Sequence, residues 1–159
     1  MEQKYTVFIK FSANWILINA DGQNITTIRF VKAQEVLNEN VETPLPAHVE
    51  KCIEELKEYF EGKRKKFTFP MKQQGSDFQH KVWNVLMDIP YGEVISYCDL
   101  AVRLGNPNIA RAVGGANRKN KLWIAVPCHR VIGKNGDLTG YAGGLEIKRW
   151  LIEHEQKNR

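Results

Sequence analysis

Pro127-Cys128-His129-Arg130 sets a thiol, an imidazole and a guanidinium side by side in a chain of 159 residues. The thiolate is the reactive form of cysteine. A free cysteine has a pKa of about 8.5, and neighbouring imidazole or cationic groups lower it. Sulfur is soft and polarisable, so a thiolate here suits attack on an alkyl carbon as well as on an acyl carbon. Strand neighbours face opposite sides, so His129 would reach Cys128 through a bridging water or after a bend. A cysteine closing an apolar strand also serves packing, and the tetrapeptide alone leaves both roles open. Glu155 is a further candidate. It shares a helical stripe with Lys148, Leu151 and Ile152, and a carboxylate flush with apolar residues needs a partner, for which His129 is a candidate. A surface carboxylate at a fraying helix end is the alternative. The small-residue loop Gly140-Tyr141-Ala142-Gly143-Gly144 would admit a flat ligand against its backbone, or serve only as a turn.

The elements that must position these residues are legible on both sides. Leu122–Val126 reads as a buried strand running into Pro127, and a last helix is expected over 145–156. Upstream, Ser76-Asp77-Phe78-Gln79 matches a capping box and opens a helix with Phe78, Val82, Val85, Leu86 and Ile89 on one face. Pro90-Tyr91-Gly92 turns the chain. Ser96-Tyr97-Cys98-Asp99 caps a short helix carrying Leu100, Ala101 and Leu104. Gly105-Asn106-Pro107 then starts a helix over 107–119, with Asn as cap and Pro in the first turn. Two short helices joined by such a turn outline a helix-turn-helix. The second helix should bury Ile109, Ala112, Val113 and Ala116, leaving Asn108, Arg111, Gly115 and Arg118 together on the opposite side. Gly114 and Gly115 each cost about 1 kcal/mol in mid-helix relative to Ala. Close approach of a nucleic-acid backbone would use that cost; tight internal packing beside a solvated basic face would use it too.

Charge is unevenly spread. Residues 1–60 hold 6 basic and 9 acidic side chains, net −3, and 61–159 hold 17 and 9, net +8, which together make the formal +5. Seven basic residues and no acid lie between Leu100 and Gly136, a distribution unlike evenly mixed surface charge and a hint of an acidic partner. The first 31 residues alternate in short apolar runs around the Asp21-Gly22 turn signal, which suggests an antiparallel meander. A helix over 48–61 follows, with Val49, Cys52, Ile53, Leu56, Tyr59 and Phe60 at helical spacing. The expected class is α+β, with a β-rich domain carrying one helix over 1–70 and a helical domain over 71–159. No apolar run approaches the ~20 residues that span a bilayer. Cys52, Cys98 and Cys128 are too scattered for a disulfide framework. No metal site is signalled, and a reduced, cytoplasmic location is expected.

Pro127-Cys128-His129-Arg130 resembles the active-site signature of the O6-alkylguanine-DNA alkyltransferases, or methylated-DNA–protein-cysteine methyltransferases. Gly75–Gln79, Ile89–Glu93, Ser96-Tyr97, Gly105–Pro107, Arg111–Asn117, Asn120, Gly140–Leu145 and Glu155 resemble further family segments in family order. The resemblance implies a ribonuclease-H-like N-terminal domain and a winged-helix-like C-terminal domain. It implies single-turnover DNA repair without a cofactor, Cys128 taking the alkyl group from O6-alkylguanine, with O4-alkylthymine as a further substrate to be tested. His129 would act as base through a water, Glu155 would orient it, and Tyr97 would assist proton transfer to the flipped base. Arg111 would fill the gap left in the stack, with Asn108, Gly114, Gly115 and Arg118 on the DNA side. Val131, Tyr141, Ala142 and Gly143 would line the base pocket, using the carbonyls of Cys128 and Val131. Asn120 would brace the turn before the reactive segment, and Arg130 would tie that segment down. The implied partner is duplex DNA, met in the minor groove by a monomer with little sequence preference and no membrane. Ala142 stands where some relatives carry a serine, and structural zinc, found in some relatives, is not expected with only Cys52 in the N-terminal half. A helix-turn-helix regulator without chemistry and a turning-over Cys-His hydrolase are the competing readings.

Overall fold

A computed structural model describes residues 3–36, 44–138, 140–141 and 143–159. The chain forms two compact units, Met1–Gln73 and Gln74–Arg159.

In the first unit, β1 (Tyr5–Phe11), β2 (Asn14–Ala20) and β3 (Ile25–Val31) form an antiparallel meander in the order β1-β2-β3. Register runs from Tyr5 opposite Ala20 to Phe11 opposite Asn14, and places Ile18 opposite Ile28. The Asp21 side chain makes the second turn. Its Oδ1 accepts from the amides of Gln23 at 2.8 Å and Asn24 at 2.6 Å, which closes an Asx-turn. Helix α1 (Ala47–Phe60) packs against β1 and β3 through Val49, Cys52, Leu56 and Tyr59, all buried, and Phe60 stacks on Phe11 with centroids 4.5 Å apart. Beyond α1 the chain returns to the sheet: the Ile25 amide donates to Pro70 at 2.9 Å and the Lys72 amide to Ile25 at 3.0 Å.

In the second unit, α2 (Asp77–Leu86) and α3 (Tyr97–Arg103) start from the capping boxes expected of them. Gln79 N donates to Ser76 Oγ at 3.2 Å and Asp99 N to Ser96 Oγ at 3.0 Å. Gly105, at φ +92°, reverses the chain, and Asn106 Oδ1 accepts from Asn108 N at 2.9 Å. The helix expected over 107–119 is divided: Pro107–Ile109 forms a 3₁₀ turn and α4 spans Ala110–Arg118. Helix α4 packs on α2 and α3, and Trp83 Nε1 donates to the Ala116 carbonyl at 3.0 Å. Val113, Ala116 and Asn117 are buried; Ala112, expected in the core, is exposed.

The buried strand expected at Leu122–Val126 is not formed. Those residues are largely buried but follow successive turns. A short parallel pair follows instead, β4 (Ile95–Ser96) beside β5 (Val131–Ile132), with Ile95 opposite Val131. The last helix, α5, spans Leu145–Lys157. Among the described residues, no helix is long and apolar enough to cross a membrane.

Candidate active site and nucleic-acid interface

The reactive segment is shaped by side chains that replace strand pairing. Asn120 Oδ1 accepts from Leu122 N at 3.0 Å, and its Nδ2 donates to Val126 O at 2.8 Å. One amide thus satisfies backbone groups that a strand would have paired. Ile124 adopts φ +73°, and Ala125 N donates to Trp123 O at 2.8 Å. This is a γ-turn of the strained, positive-φ kind, held by its buried surroundings. Pro127, at φ −80° and ψ 64°, forms the relaxed inverse γ-turn, with Cys128 N donating to Val126 O at 2.8 Å. Cys128–Arg130 then makes one 3₁₀ turn. The chain therefore bends at Pro127, immediately before the reactive cysteine.

Cys128, His129 and Arg130 are all buried. His129 Nε2 lies 2.7 Å from Glu155 Oε2 on α5. Arg130 grips the same carboxylate, Nε to Oε1 at 2.8 Å and Nη2 to Oε2 at 3.1 Å, and sends Nη1 to the Ile89 carbonyl at 2.6 Å. Gly92 N donates to Oε1 at 3.3 Å. Glu155 is thus enclosed, not a surface carboxylate. Burial alone would raise its pKa, but His129 and Arg130 outweigh burial and hold the carboxyl well below the usual carboxylate range. Burial lowers the pKa of His129, so the ring is neutral at physiological pH. An ionised carboxylate can only accept, so Nε2 must carry the ring proton and Nδ1 the basic lone pair. That Nδ1 is buried and has no hydrogen-bond partner among the described residues.

Burial pushes the Cys128 thiol up to about 11, while a hydrogen bond with Asn120, the Lys148 charge and the amides at 128 and 129 pull it the other way. Asn117 Nδ2 donates to the Cys128 carbonyl at 3.3 Å, leaving one lone pair of that carbonyl for another donor. The Tyr97 ring lies where Cβ atoms at Gly114 and Gly140 would sit 3.7 Å from its ring and 3.3 Å from its hydroxyl. Tyr141 is buried, 5.5 Å from the Trp123 ring, and a Cβ at Gly143 would come within 2.7 Å of the Tyr141 ring. Only glycine fits there. Ala142 lies outside the described residues.

Cys128, His129, Arg130, Val131, Asn120, Tyr141 and Glu155 therefore converge, and Tyr97 follows β4 directly beside β5. Asn108, Arg111 and Arg118 do not join them; they are exposed on the helix-turn-helix. A Cβ at Gly115 would meet open space, so internal packing does not account for that glycine. Lys148 and Asn117 are the residues given no role by sequence reasoning. Lys148 is fully buried, and its place on the apolar stripe of Leu151 and Glu155 was the signal for it.

Comparison with known proteins gives consistent matches to both units. Residues 4–73 match the family description "6-O-methylguanine DNA methyltransferase, ribonuclease-like domain", and residues 77–157 match its "DNA binding domain". The chain is 53% identical over 119 residues to the constitutive methylated-DNA–protein-cysteine methyltransferase of Bacillus subtilis, covering 74% of this chain and 70% of that protein. It is 43% identical to the methylated-DNA–protein-cysteine methyltransferase of Methanosarcina acetivorans, covering 88% and 90% of the two chains. The crystal structure of Mycobacterium tuberculosis O6-methylguanine methyltransferase superimposes with a TM-score of 0.83 at 37% identity, covering 99% of this chain and 95% of that one. The same protein in complex with DNA gives 0.82 at 37% identity, covering 96% and 93%.

Proposed function

Since the chain belongs to the 6-O-methylguanine DNA methyltransferase family, we propose that it repairs DNA by moving the alkyl group of O6-alkylguanine irreversibly onto Cys128. The observation that carries this reading is the enclosed thiol beside an imidazole whose tautomer is fixed by Glu155 at 2.7 Å. The thiol proton leaves through a water to His129 Nδ1. Sγ attacks the alkyl carbon in line, and the carbon–O6 bond breaks with its electron pair on oxygen. Tyr97 gives a proton to the ring nitrogen and recovers one from the His129 side, so the thiol proton ends on the released guanine. The products are a thioether and a restored guanine. Nothing in the balance calls for a cofactor, and one chain performs one transfer.

Duplex stacking hides O6 from a buried sulfur, so the nucleotide must leave the stack at a cost of a few kcal/mol. Arg111 fills the gap. Asn108, Gly114, Gly115 and Arg118 lie along the backbone, and the open space at Gly115 supports that approach. A face built from Arg and Gly, without acids from 100 to 136, favours minor-groove binding with little sequence preference and strong salt dependence. Val131, Tyr141 and Gly143 bound the base pocket, while Asn120 and Arg130 hold the segment. The site draws on one unit of one chain, which supports action as a monomer. Incubation with duplex carrying a radiolabelled O6-methyl group should transfer label to protein until one methyl per chain is reached. Continued turnover, or binding without uptake, would refute the reading.

A further inference from the structure

Asn117 has no part in the proton path, yet it is the polar side chain that α4 buries, 2% exposed beside Val113 and Ala116 in the packed face. Its backbone is held in place. The Asn117 carbonyl accepts from Asn120 N at 3.3 Å, and the neighbouring Ala116 carbonyl accepts from Trp83 Nε1 at 3.0 Å. The side-chain amide is only half satisfied. Nδ2 donates to the Cys128 carbonyl at 3.3 Å, whereas Oδ1 is buried and has no hydrogen-bond partner among the described residues. An amide oxygen withdrawn from water without a donor is costly, and buried polar groups in folded proteins are almost always paired. His129 Nδ1 shares this condition, and there the proton path supplies the reason. Asn117 Oδ1 takes no part in that path.

The two polar atoms of one carboxamide cannot separate, so Oδ1 stays close to the carbonyl of the residue that carries the acceptor sulfur. Asn117 also lies one turn beyond Gly114 on α4, and residues three apart share a helix face. A Cβ at Gly114 would stand 3.7 Å from the Tyr97 ring. That face therefore meets Tyr97 at Gly114 and Cys128 at Asn117. A flipped base is read along its Watson–Crick edge. In O6-alkylguanine this edge carries the alkylated oxygen at one end and the exocyclic amine at the other, with N1 between. Once the alkyl carbon is in line with Sγ, the amine lies farther along the same edge. The Cys128 carbonyl, with one lone pair left, and Asn117 Oδ1 are neighbouring acceptors, and the amine brings two hydrogens.

We propose that Asn117 is a specificity-determining residue for guanine: Nδ2 orients the Cys128 carbonyl, and Oδ1 accepts beside it from the exocyclic amine of the flipped base. The inference rests on the alkyl-transfer reading and adds to it a side chain that selects the base. A purine without the amine leaves Oδ1 buried and unpaired. A site built around a substrate N–H rejects the analogue that lacks it far more strongly than apolar contact alone does. Discrimination of this kind acts on the choice of base and leaves the proton path untouched.

The test is single-turnover methyl transfer, with duplex well below saturation, from O6-methylguanine and from O6-methylhypoxanthine, which lacks only the amine. The full chain is compared with Asn117→Leu, a change that keeps the approximate shape and removes both donor and acceptor. The unaltered chain should react about tenfold or more faster with O6-methylguanine, the scale of one buried acceptor left unpaired. In Asn117→Leu that ratio should shrink about fivefold or more, chiefly through slower reaction with O6-methylguanine. A purely structural loss would slow both substrates by one factor and leave the ratio as it was, and that result would overturn the inference. Equal rates on the two duplexes in the unaltered chain would overturn it as well. Should Asn117→Leu not fold, Asn117→Ser, a shorter side chain with one polar atom, is held to the same change in ratio. Absence of methyl uptake from O6-methylguanine in the unaltered chain refutes the alkyl-transfer reading, whereas uptake with an unmoved ratio refutes only the role of Asn117.

Discussion

Among the described residues, each unit buries one cysteine and one glutamate, and the two pairs behave as opposites. In the first unit Cys52 and Glu55 lie on α1, both enclosed. Glu55 accepts from Thr68 N at 2.6 Å and from the Thr68 hydroxyl, with Arg64 3.8 Å away, and so pins the returning segment to the helix. Burial and the Glu55 charge together push the Cys52 thiol far above its ordinary value. In the second unit Cys128 is just as buried, but Asn120, Lys148 and two backbone amides resist the effect of burial. Glu155 acts on an imidazole with its far nitrogen open, not on a loop hydroxyl. Burial makes a cysteine inert; donors and cations arranged around the sulfur are what keep it available.

The comparison breaks first at the sulfurs. Cys128→Ala should abolish methyl uptake while DNA binding survives, and Cys52→Ala should leave uptake intact. Any transfer in the first variant would end the assignment. The carboxylates come next. Glu155→Gln loses the charge that fixes the His129 tautomer, and single-turnover alkylation should slow by roughly 10²-fold, within the range of general-base effects. Glu55→Gln should leave that rate alone and lower unfolding stability by about 1–3 kcal/mol through the weakened Thr68 bonds. Equal rate losses in both variants would erase the distinction.

A third variant separates sulfur chemistry from DNA handling. Arg111→Ala should slow repair of alkylated duplex about tenfold or more, the scale of losing part of the cost of flipping. Reaction with free O6-alkylguanine base should be unaffected, and equal loss on both substrates would contradict the role in the stack. The smallest effect is in stability against pH. A raised folded-state pKa favours the folded state below the unfolded value and loses that advantage as pH climbs through the folded one. For Cys128 the window runs from 9.0 to about 11. Across it, the unaltered chain should lose stability relative to Cys128→Ser in paired denaturant titrations, and parallel curves would show that the thiol is less enclosed than described.

Local chemistry was legible in the sequence wherever it is sufficient. Ser76 with Gln79, Ser96 with Asp99, and Asn106 before Pro107 each start the element they signal, because a cap needs only its own first turn. Alternation gave β1 and the meander. The segment Leu122–Val126 misled for a definite reason. Its apolar run reports burial, but Asn120 supplies the partners a strand would need, and Ile124 takes a backbone angle that β-branched residues rarely adopt. The β4–β5 pair is two residues long and joins positions far apart in sequence, so no periodicity announces it. Among site residues, Cys128 and His129 declare themselves by type. The stripe on the last helix already named His129 as a candidate partner for Glu155, whereas the grip of Arg130 on that carboxylate and the enclosure of Lys148 depend on where α5 packs, which one helix's sequence leaves open.

The most direct test is peptide mass mapping of the unaltered chain after reaction with O6-methylguanine duplex. The account requires one added methyl on the peptide holding Cys128, with the peptides of Cys52 and Cys98 unmodified. A methyl on either of those cysteines, or none on Cys128 although the duplex has been repaired, would contradict it.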